Sequence, residues 1–451
     1  MPTDNENATT RGLSPAAMRK VVAASFAGAL LEWYDFFIFG TAAGLVFGKL
    51  FFPQSDPAVG TIAAFATFGV GFLARPLGGV VFGHFGDRVG RKATLIATLL
   101  ITGISTFLIG FLPTFADVGI AAPIMLVVLR LIQGFGLGGE YGGAALMTIE
   151  SAPESRRGFF GSLPQMAASA GIMLATGVFA LCSWGLTEAQ FLDWGWRLPF
   201  LLSAAMLIVG MQIRLHIEET LDFKATRRRE QASTEKRVLP IVELLRRHPR
   251  NIALALGARL AETVSSNIVN AFGIAYVSTN LAMGRQLPLM GMLMASAIGI
   301  MLCPLFGWLS DRYGQRVVYL FGALACAVLI VPFFAALATG NGVLICLAFI
   351  VFYNLGPTAM FAVQPTMFSR MFGTRVRYTG LSFAYQFSAM LGGLTPLISA
   401  SLLTLGHGDP WWVAGYLIVV SLISATSVWL ISEVRLIELH DYATALPRET
   451  T

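Results

Sequence analysis

Seven ionisable residues lie inside long apolar stretches of this 451-residue chain. They are Glu32, Asp35, Arg75, Arg130, Glu140, Arg259 and Glu262. A charged side chain at the centre of a bilayer costs about 3 kcal/mol or more, so each of these residues is a candidate for function. None of the five His residues lies in the middle of such a stretch. A group that carries protons within these stretches must therefore be a carboxylate.

Glu32 and Asp35 are three residues apart, which places them on one face of a helix. Two carboxylates close together in a medium of low dielectric constant repel each other, so one of them can hold a proton near neutral pH. We predict that Asp35 accepts the proton and that Glu32 is its coupled partner. The alternative is a structural pair bound to a neighbouring arginine.

Arg130 lies about nine residues into its apolar stretch, or roughly 14 Å along a helix, and so near the middle of a membrane. Gln133 follows three residues later and shares the same helical face. We predict that Arg130 pairs with Asp35 when that carboxylate is ionised, and is released or turns to the substrate when it is protonated. A purely structural ion pair is the alternative.

The segment ARLAETVSSNIVN carries polar residues at spacings of three and four in an otherwise apolar stretch. These residues are Arg259, Glu262, Ser266 and Asn270. Such a polar stripe cannot face lipid, so it lines either a cavity or a contact between helices. A guanidinium can donate two hydrogen bonds to a carboxylate, and we predict that Arg259 binds the substrate. The alternative is a gate formed with Glu262.

Further polar residues interrupt the apolar stretches. Arg75 precedes Pro76, and it either binds an anionic substrate or holds a kinked helix. Tyr353, Tyr385 and Gln386 are weaker candidates for a substrate cavity. We interpret Glu140 as a structural residue.

The composition of the chain indicates that the ionisable residues above lie on membrane-spanning helices. Hydrophobic residues make up 55% of the chain and charged residues only 12%, whereas soluble proteins contain about 25% charged residues. Twelve apolar runs are long enough to span a bilayer, at roughly 20–48, 58–84, 93–112, 121–148, 158–183, 196–215, 251–279, 288–309, 316–338, 342–366, 379–404 and 411–432. We therefore predict an all-α membrane protein with two bundles of six helices.

The predicted organisation has five parts. A cytoplasmic tail (1–19) precedes the first bundle (20–215), a cytoplasmic linker (216–250) joins it to the second bundle (251–434), and a short tail (435–451) follows. Of the 31 Lys and Arg residues, 25 lie on the side of the N-terminus, which places both termini in the cytoplasm. Because these basic residues line one membrane face, they predict contact with anionic lipid and no binding of nucleic acid.

The two halves of the chain share a repeated decapeptide. GHFGDRVGRK begins at Gly83 and GWLSDRYGQR begins at Gly307, with a constant offset of 224 residues. Internal duplication is typical of secondary carriers, which bind their substrate between the repeats. We predict that the charged residues of these segments form an ion-pair latch at the cytoplasmic face, where they control gating. The gating residues are Gly83, Asp87, Arg88, Arg91, Lys92, Asp311, Arg312 and Arg316.

Both decapeptides resemble the loop signature of the major facilitator superfamily, although Gln315 replaces one basic residue in the second copy. The segments LEWYDFFIFG, FLARPLGG, RLIQGFGLGGEYGGA and APESRRG are similar to those of its metabolite:proton symporter family. The resemblance implies the major facilitator fold and a substrate such as shikimate, 2-oxoglutarate, citrate, or proline and betaine, each carried with a proton. It also implies that Arg130 takes part in proton coupling.

We therefore expect a proton-coupled symporter that imports a small organic acid by alternating access in the bacterial inner membrane. The alternatives are a symporter of a zwitterionic osmolyte such as proline or betaine, and a drug/proton antiporter. The apolar stretches contain no nucleophile–base set and no metal-ligand cluster, which argues against a membrane enzyme. We expect no metal and no cofactor, with the proton as coupling ion and the monomer as the functional unit.

Overall fold

The computed structural model describes residues 15–54, 56–89, 91–138, 148–149, 152–216, 246, 248–372 and 377–431. Of these, 15–21, 24–25, 83–89, 91–92, 213–214, 216 and 377–378 are described by their backbone alone. The regular structure within these ranges is entirely helical, so the all-α prediction is confirmed. Most of the predicted linker and all of the C-terminal tail lie outside the described residues.

The first half of the chain forms six long helices. They are α1 (Pro15–Ala42, continued by a π-helical turn at Ala43–Phe47 and by Gly48–Phe51), α2 (Pro57–Val89), α3 (Arg91–Ile109), α4 (Ala121–Gly138), α5 (Arg157–Gly185) and α6 (Leu198–His216). Short helices at Phe115–Val118 and Glu188–Asp193 lie in the connections. We call α1–α6 the N-terminal half.

The second half repeats this pattern and is called the C-terminal half. Its helices are α7 (Pro249–Asn267, then Ile268–Phe272, Gly273–Ala275 and Tyr276–Asn280), α8 (Gln286–Tyr313), α9 (Gln315–Ala338), α10 (Gly342–Tyr353, then Asn354–Thr358 and Ala359–Ser369), α11 (Arg377–Gly393 and Thr395–Leu405) and α12 (Trp411–Leu430).

Each predicted span corresponds to one of these helices. Within the described ranges, eleven are long and apolar enough to cross a membrane, and Ala93–Ile109 is a shorter apolar helix. The part of the fourth span that follows Gly138 lies outside the description. Large apolar side chains on the outer surface, such as Leu77 and Met301, are more than half exposed, as lipid-facing residues are.

The repeated decapeptides are helical where the sequence predicted a loop. α2 continues to Val89 and α8 to Tyr313, so Asp311 lies in the last helical turns of α8. Gly314 ends α8 with a φ angle of 95°, a conformation that glycine adopts without strain. The apolar residues of α2 and α8 end before the helices do, because the C-terminal ends of these helices extend out of the membrane.

π-helical turns mark the helices at the centre of the molecule. One lies in α1 at Ala43–Phe47 and another in α7 at Ile268–Phe272, so they begin 225 residues apart, close to the repeat of 224 in the decapeptides. A further turn interrupts α10 at Asn354–Thr358. Such turns occur often at functional sites, and these three helices lie next to the candidate site.

The two halves contact each other through small residues. At Gly158 of α5, a Cβ atom would lie 2.7 Å from the Gly307 carbonyl oxygen of α8. At Gly44 of α1, a Cβ atom would lie 3.2 Å from the Ala271 carbonyl oxygen of α7. Small residues therefore let helices of opposite halves approach closely near both ends of the bundle.

Candidate functional site

A cavity lies between the two halves in the middle of the molecule. It is constricted, with a cavity volume of only about 20 Å³. Its polar lining consists of Gln165, Ser169, Glu262, Ser266, Tyr353 and Thr358, and its aromatic lining also includes Trp33, Phe37 and Phe361. Both halves contribute to it, and the Trp33 and Phe361 rings meet edge to face across the boundary at 5.5 Å.

Arg259 does not line this cavity itself, but it lies directly behind Glu262, which does. It is 2% exposed, and its Nη1 donates to the Tyr385 carbonyl oxygen at 2.5 Å and to Ser388 Oγ at 2.9 Å. Its Nε donates to Gln364 Oε1 at 3.2 Å and lies 3.6 Å from Glu262 Oε2. Its guanidinium carbon lies 3.3 Å from the centroid of the Tyr385 ring. Within the described part of the chain, Nη2 makes no hydrogen bond and is available to a ligand.

Gln364 fixes the orientation of this network. The Tyr319 hydroxyl donates to the Ala258 carbonyl oxygen at 2.9 Å, so its oxygen is left to accept from Gln364 Nε2 at 3.3 Å. The same amide nitrogen lies 3.5 Å from Glu262 Oε2. The amide oxygen of Gln364 is thereby turned towards Arg259.

Arg75 of α2 is buried in the N-terminal half. Its guanidinium lies over the Phe72 ring at 4.6 Å and over the Phe36 ring at 5.3 Å. Among the described residues it has no carboxylate within 4 Å and no hydrogen-bond partner. A buried guanidinium with only aromatic contacts keeps all of its donors for a ligand.

The buried arginines of the two halves act on one another electrostatically. Arg75 interacts electrostatically with Arg259 across the boundary between the halves and with Arg130 in its own half. Glu32 is the acidic group that acts on Arg75. A carboxylate placed between Arg75 and Arg259 would reduce the repulsion between them and join the two halves.

Arg130 does not contact the Asp35 carboxylate in this conformation. Its Nη1 donates to Gln133 Oε1 at 2.6 Å, its Nε and Nη2 lie 3.4 Å from the Phe68 carbonyl oxygen, and its guanidinium lies 4.1 Å from the centroid of the Phe39 ring. No ion pair joins Arg130 to Asp35 among the residues that the structure describes. The predicted pair of Arg130 with ionised Asp35 stays a prediction for another state of the cycle.

Asp35 is buried close to the same network. It is 6% exposed, and its Oδ1 has no hydrogen-bond partner among the described atoms. Gln133 Nε2 donates to Thr106 Oγ1 at 2.8 Å and lies 3.5 Å from the Asp35 carbonyl oxygen. A carboxyl group in such a place can be neutral, because a proton removes the cost of burying its charge.

The other predicted cavity residues are divided between two places. Glu262, Ser266 and Tyr353 line the cavity, and the hydroxyl of Tyr353 lies 3.0 Å from Ser169 Oγ. Asn270 donates to the Ser266 carbonyl oxygen within α7, and Gln386 donates to the Gly138 carbonyl oxygen of α4 at 3.2 Å. Neither Asn270 nor Gln386 lines the described cavity, and their role in substrate binding stays a prediction.

Sequence reasoning missed the contribution of α5. Gln165, Ser169 and Thr176 lie four and seven residues apart on this helix, and all three are buried. This polar stripe is the same signal that identified α7, so it was available in the sequence. Gln165 Nε2 is buried without a hydrogen-bond partner among the described atoms, and the residue lines the cavity.

Contacts between the halves close the inner end, where α1 begins and α12 ends. Asp311 Oδ1 accepts a hydrogen bond from the backbone nitrogen of Gly158 at 2.7 Å, and Oδ2 accepts one from Phe159 at 2.8 Å. These amides belong to the first turn of α5, where backbone N–H groups lack intrahelical partners. At the second decapeptide Asp311 thus joins the two halves through a helix N-terminus and not through an ion pair, and the gating role of the decapeptides stays a prediction.

The remaining gating residues have other positions. Arg316 donates to the Trp429 carbonyl oxygen of α12, and the Arg312 guanidinium lies 5.6 Å from the Tyr313 ring. Both contacts lie within the C-terminal half. The side chains of Gly83, Asp87, Arg88, Arg91 and Lys92, and the whole of Glu140, lie outside the described residues.

Polar contacts also close the outer end. Arg285 forms an ion pair with Glu188 and donates to Ser183 Oγ at 2.9 Å, and Lys49 lies 3.6 Å from Glu188. Burial lowers the pKa of the Arg285 guanidinium, but an arginine side chain still stays charged near neutral pH. Contacts between the two halves are thus present at both ends of the described bundle.

Comparisons with known proteins agree with this architecture. A family model described as sugar (and other) transporter matches residues 20–240. The shikimate transporter of Escherichia coli K12 is 44% identical over 422 residues, which are 93% of this chain and 96% of that protein. The proline/betaine transporter of Salmonella typhimurium is 36% identical over 412 residues, which are 90% of this chain and 82% of that protein.

A solved structure supports the fold independently. The crystal structure of a D-xylose-proton symporter superposes with a TM-score of 0.70 at 17% identity, covering 92% of this chain and 98% of that one. At this identity the likeness concerns the fold alone. It confirms the arrangement of the helices.

Proposed function

Because the chain belongs to the metabolite:proton symporter family of the major facilitator superfamily, we propose that it imports a small organic acid together with a proton. The chain is a multi-pass membrane transporter and not an enzyme. The proposed cycle is alternating access, in which the two halves rock against each other and open the site between them first to one side of the bacterial inner membrane and then to the other.

The observation that supports an anionic substrate is the pair of buried guanidinium groups from opposite halves. Arg75 has no hydrogen-bond partner among the described residues, and Arg259 has an unused Nη2 atom. A carboxylate is the group that best fits a site with guanidinium groups from both halves, because it can accept two hydrogen bonds from a guanidinium. Binding of the anion would then favour closure of the two halves around it.

The proposed proton site is the buried Asp35, with Glu32 and Arg130 as its partners. A proton that binds with a substrate carboxylate cancels the charge that would otherwise enter the membrane. An inward-directed proton gradient would then drive accumulation of the acid. The hydrogen bonds around Gln133 support this role. Gln133 accepts from Arg130 and donates to Thr106, and its amide nitrogen lies 3.5 Å from the Asp35 carbonyl oxygen, so one amide connects the cation to the backbone of Asp35.

A second candidate function is symport of a zwitterion such as betaine. The aromatic rings of Trp33, Phe37 and Phe361 line the cavity, and such rings attract quaternary ammonium groups. Relatives at 36% identity are proline/betaine transporters. The buried guanidinium groups of Arg75 and Arg259 favour the acid, since they repel the ammonium group.

Both candidates can be compared with the purified protein in proteoliposomes that contain a trapped pH dye. Shikimate, other hydroxy acids, di- and tricarboxylates, and betaine with proline are added in turn, and protein-free liposomes are the control. Acidification of the interior with an acid, dependent on the protein, is the expected result. Acidification with betaine and proline alone would replace the acid by the zwitterion as substrate.

A further inference from the structure

The Glu262 carboxylate faces the cavity with weak contacts. It is 5% exposed, and its two contacts, to Arg259 Nε at 3.6 Å and Gln364 Nε2 at 3.5 Å, both involve Oε2. Its Oε1 makes no hydrogen bond within the described part of the molecule. A buried carboxylate needs strong pairing and full hydrogen bonding to stay ionised at low cost. Glu262 has neither.

Arg259 does not depend on Glu262 for its position. The Tyr385 carbonyl oxygen, Ser388 Oγ and Gln364 Oε1 accept hydrogen bonds from it at 2.5, 2.9 and 3.2 Å, all shorter than its distance to Glu262. Its guanidinium can therefore stay in place when Glu262 loses its charge. It then remains next to the cavity as an unneutralised cation.

A substrate carboxylate at Arg259 would lie close to the Glu262 carboxylate. Two carboxylates that share one guanidinium in a buried site cannot both be ionised at low cost, so one of them takes up a proton. We propose that Glu262 is a second proton-binding site, which takes up a proton when the substrate carboxylate binds to Arg259. The inference rests on the proposed function, and it adds to the role of Asp35.

The surroundings of Glu262 allow this proton to be measured. The titratable and charged groups that interact with it are Arg259 on α7, Tyr319 and Cys326 on α9 and Tyr353 on α10. Arginine and tyrosine keep their protons near neutral pH, and a thiol buried in apolar surroundings does as well. A proton taken up here between pH 6 and pH 8 is therefore assigned to Glu262.

The consequence is a thermodynamic linkage between proton and substrate in the C-terminal half. If binding of the acid requires a proton at Glu262, the affinity falls about tenfold for each pH unit above the point where the free site loses its proton. Asp35 lies in the other half and does not line this cavity.

Calorimetric titration of the purified full-length protein with shikimate as probe tests the inference. Measurements between pH 6 and pH 8.5, in two buffers of different ionisation enthalpy, give the number of protons taken up for each bound acid. At high pH we expect Glu262→Gln to take up about one proton fewer for each bound acid than the wild type. Glu262→Asp keeps a carboxylate and is expected to keep the pH dependence.

The outcomes separate the inference from the proposed function. If Glu262→Gln binds shikimate with the wild-type proton uptake and pH dependence, the inference is wrong and the proton site lies elsewhere. If Glu262→Gln does not fold, loss of the pH dependence in Glu262→Asp would overturn it. If the wild type binds neither shikimate nor another acid, it is the proposed function that fails.

Discussion

Asp311 of the C-terminal half binds the first turn of a helix in the N-terminal half, with its Oδ1 2.7 Å from the Gly158 backbone nitrogen. The carboxylate meets N–H groups that have no partner within α5, and it lies at the positive end of the helix dipole. The contact forms only when the inner ends of α5 and α8 are together. It therefore stabilises the conformations in which the inner end is closed.

Asp311→Asn should favour opening of the inner end. The substitution removes a charge-assisted interaction, worth about 1.5–3 kcal/mol, and changes the population of open molecules by roughly 10- to 100-fold. Cys303 provides a reporter, since it is buried at this interface with Sγ 3.5 Å from the Ser162 carbonyl oxygen. We expect faster maleimide labelling of Cys303 in a chain whose other cysteines are replaced by serine. Equal labelling rates would show that Asp311 does not hold this end closed.

Gly158→Ala should slow transport by preventing this closure. The new Cβ atom would lie 2.7 Å from both the Gly307 carbonyl oxygen and Asp311 Oδ1, so the helices must separate. Overpacking of this kind costs about 1–3 kcal/mol, and we expect uptake to fall roughly tenfold. Gly177→Ala in the same helix is the matched control, because its nearest neighbour is Leu293 Cδ1 at 3.5 Å. Equal uptake by the two variants would contradict the close approach of α5 and α8.

Arg75→Gln should weaken binding of an acid without changing the fold. Arg75 makes only aromatic contacts within 4 to 6 Å among the described residues, and Glu32 acts on its charge without a direct ion pair. Loss of a charged hydrogen bond of about 1.5–3 kcal/mol raises the dissociation constant roughly 10- to 100-fold. Arg75→Lys should restore part of the affinity, since an ammonium keeps the charge but not the planar fork. An unchanged dissociation constant in Arg75→Gln would exclude Arg75 from the binding site.

The sequence predicted the helices well because lipid exposure acts on each segment separately. Hydropathy located the twelve spans, and the three-residue spacing of Arg259 and Glu262 correctly predicted that these two residues are close to each other. The partners Gln364 and Ser388 follow from the packing of α7 against α10 and α11, which no local pattern encodes. The same holds for Asp311 and Gly158, which are 153 residues apart.

Some corrections have local physical causes. Helices α2 and α8 extend into the decapeptides. Apolar residues indicate only the part of a helix that lies in the membrane, and the helix can continue beyond it. The guanidinium of Arg130 contacts Gln133 and an aromatic pocket in this conformation, and its pairing with ionised Asp35 stays a prediction. In the proposed cycle the partner of Arg130 changes with the conformation. The sequence is the same in every conformation, so it cannot show which partner Arg130 has in this one.

Asp35→Asn should abolish proton-driven accumulation and leave exchange in place. The amide cannot take up or release a proton, but it preserves the size of the side chain in its buried position. Exchange of labelled for unlabelled shikimate needs no net proton movement, so we expect it to continue at a reduced rate. Accumulation at the wild-type level would remove Asp35 from the coupling role.

Uptake driven by an imposed pH gradient tests proton-coupled import most directly. Proteoliposomes with an alkaline interior are diluted into an acidic medium that contains labelled shikimate, and the internal concentration is followed with time. The account predicts a transient rise above the external concentration, which a protonophore abolishes. Uptake that only reaches the external concentration, with or without the protonophore, would contradict it, because the protein would then carry the acid without the proton.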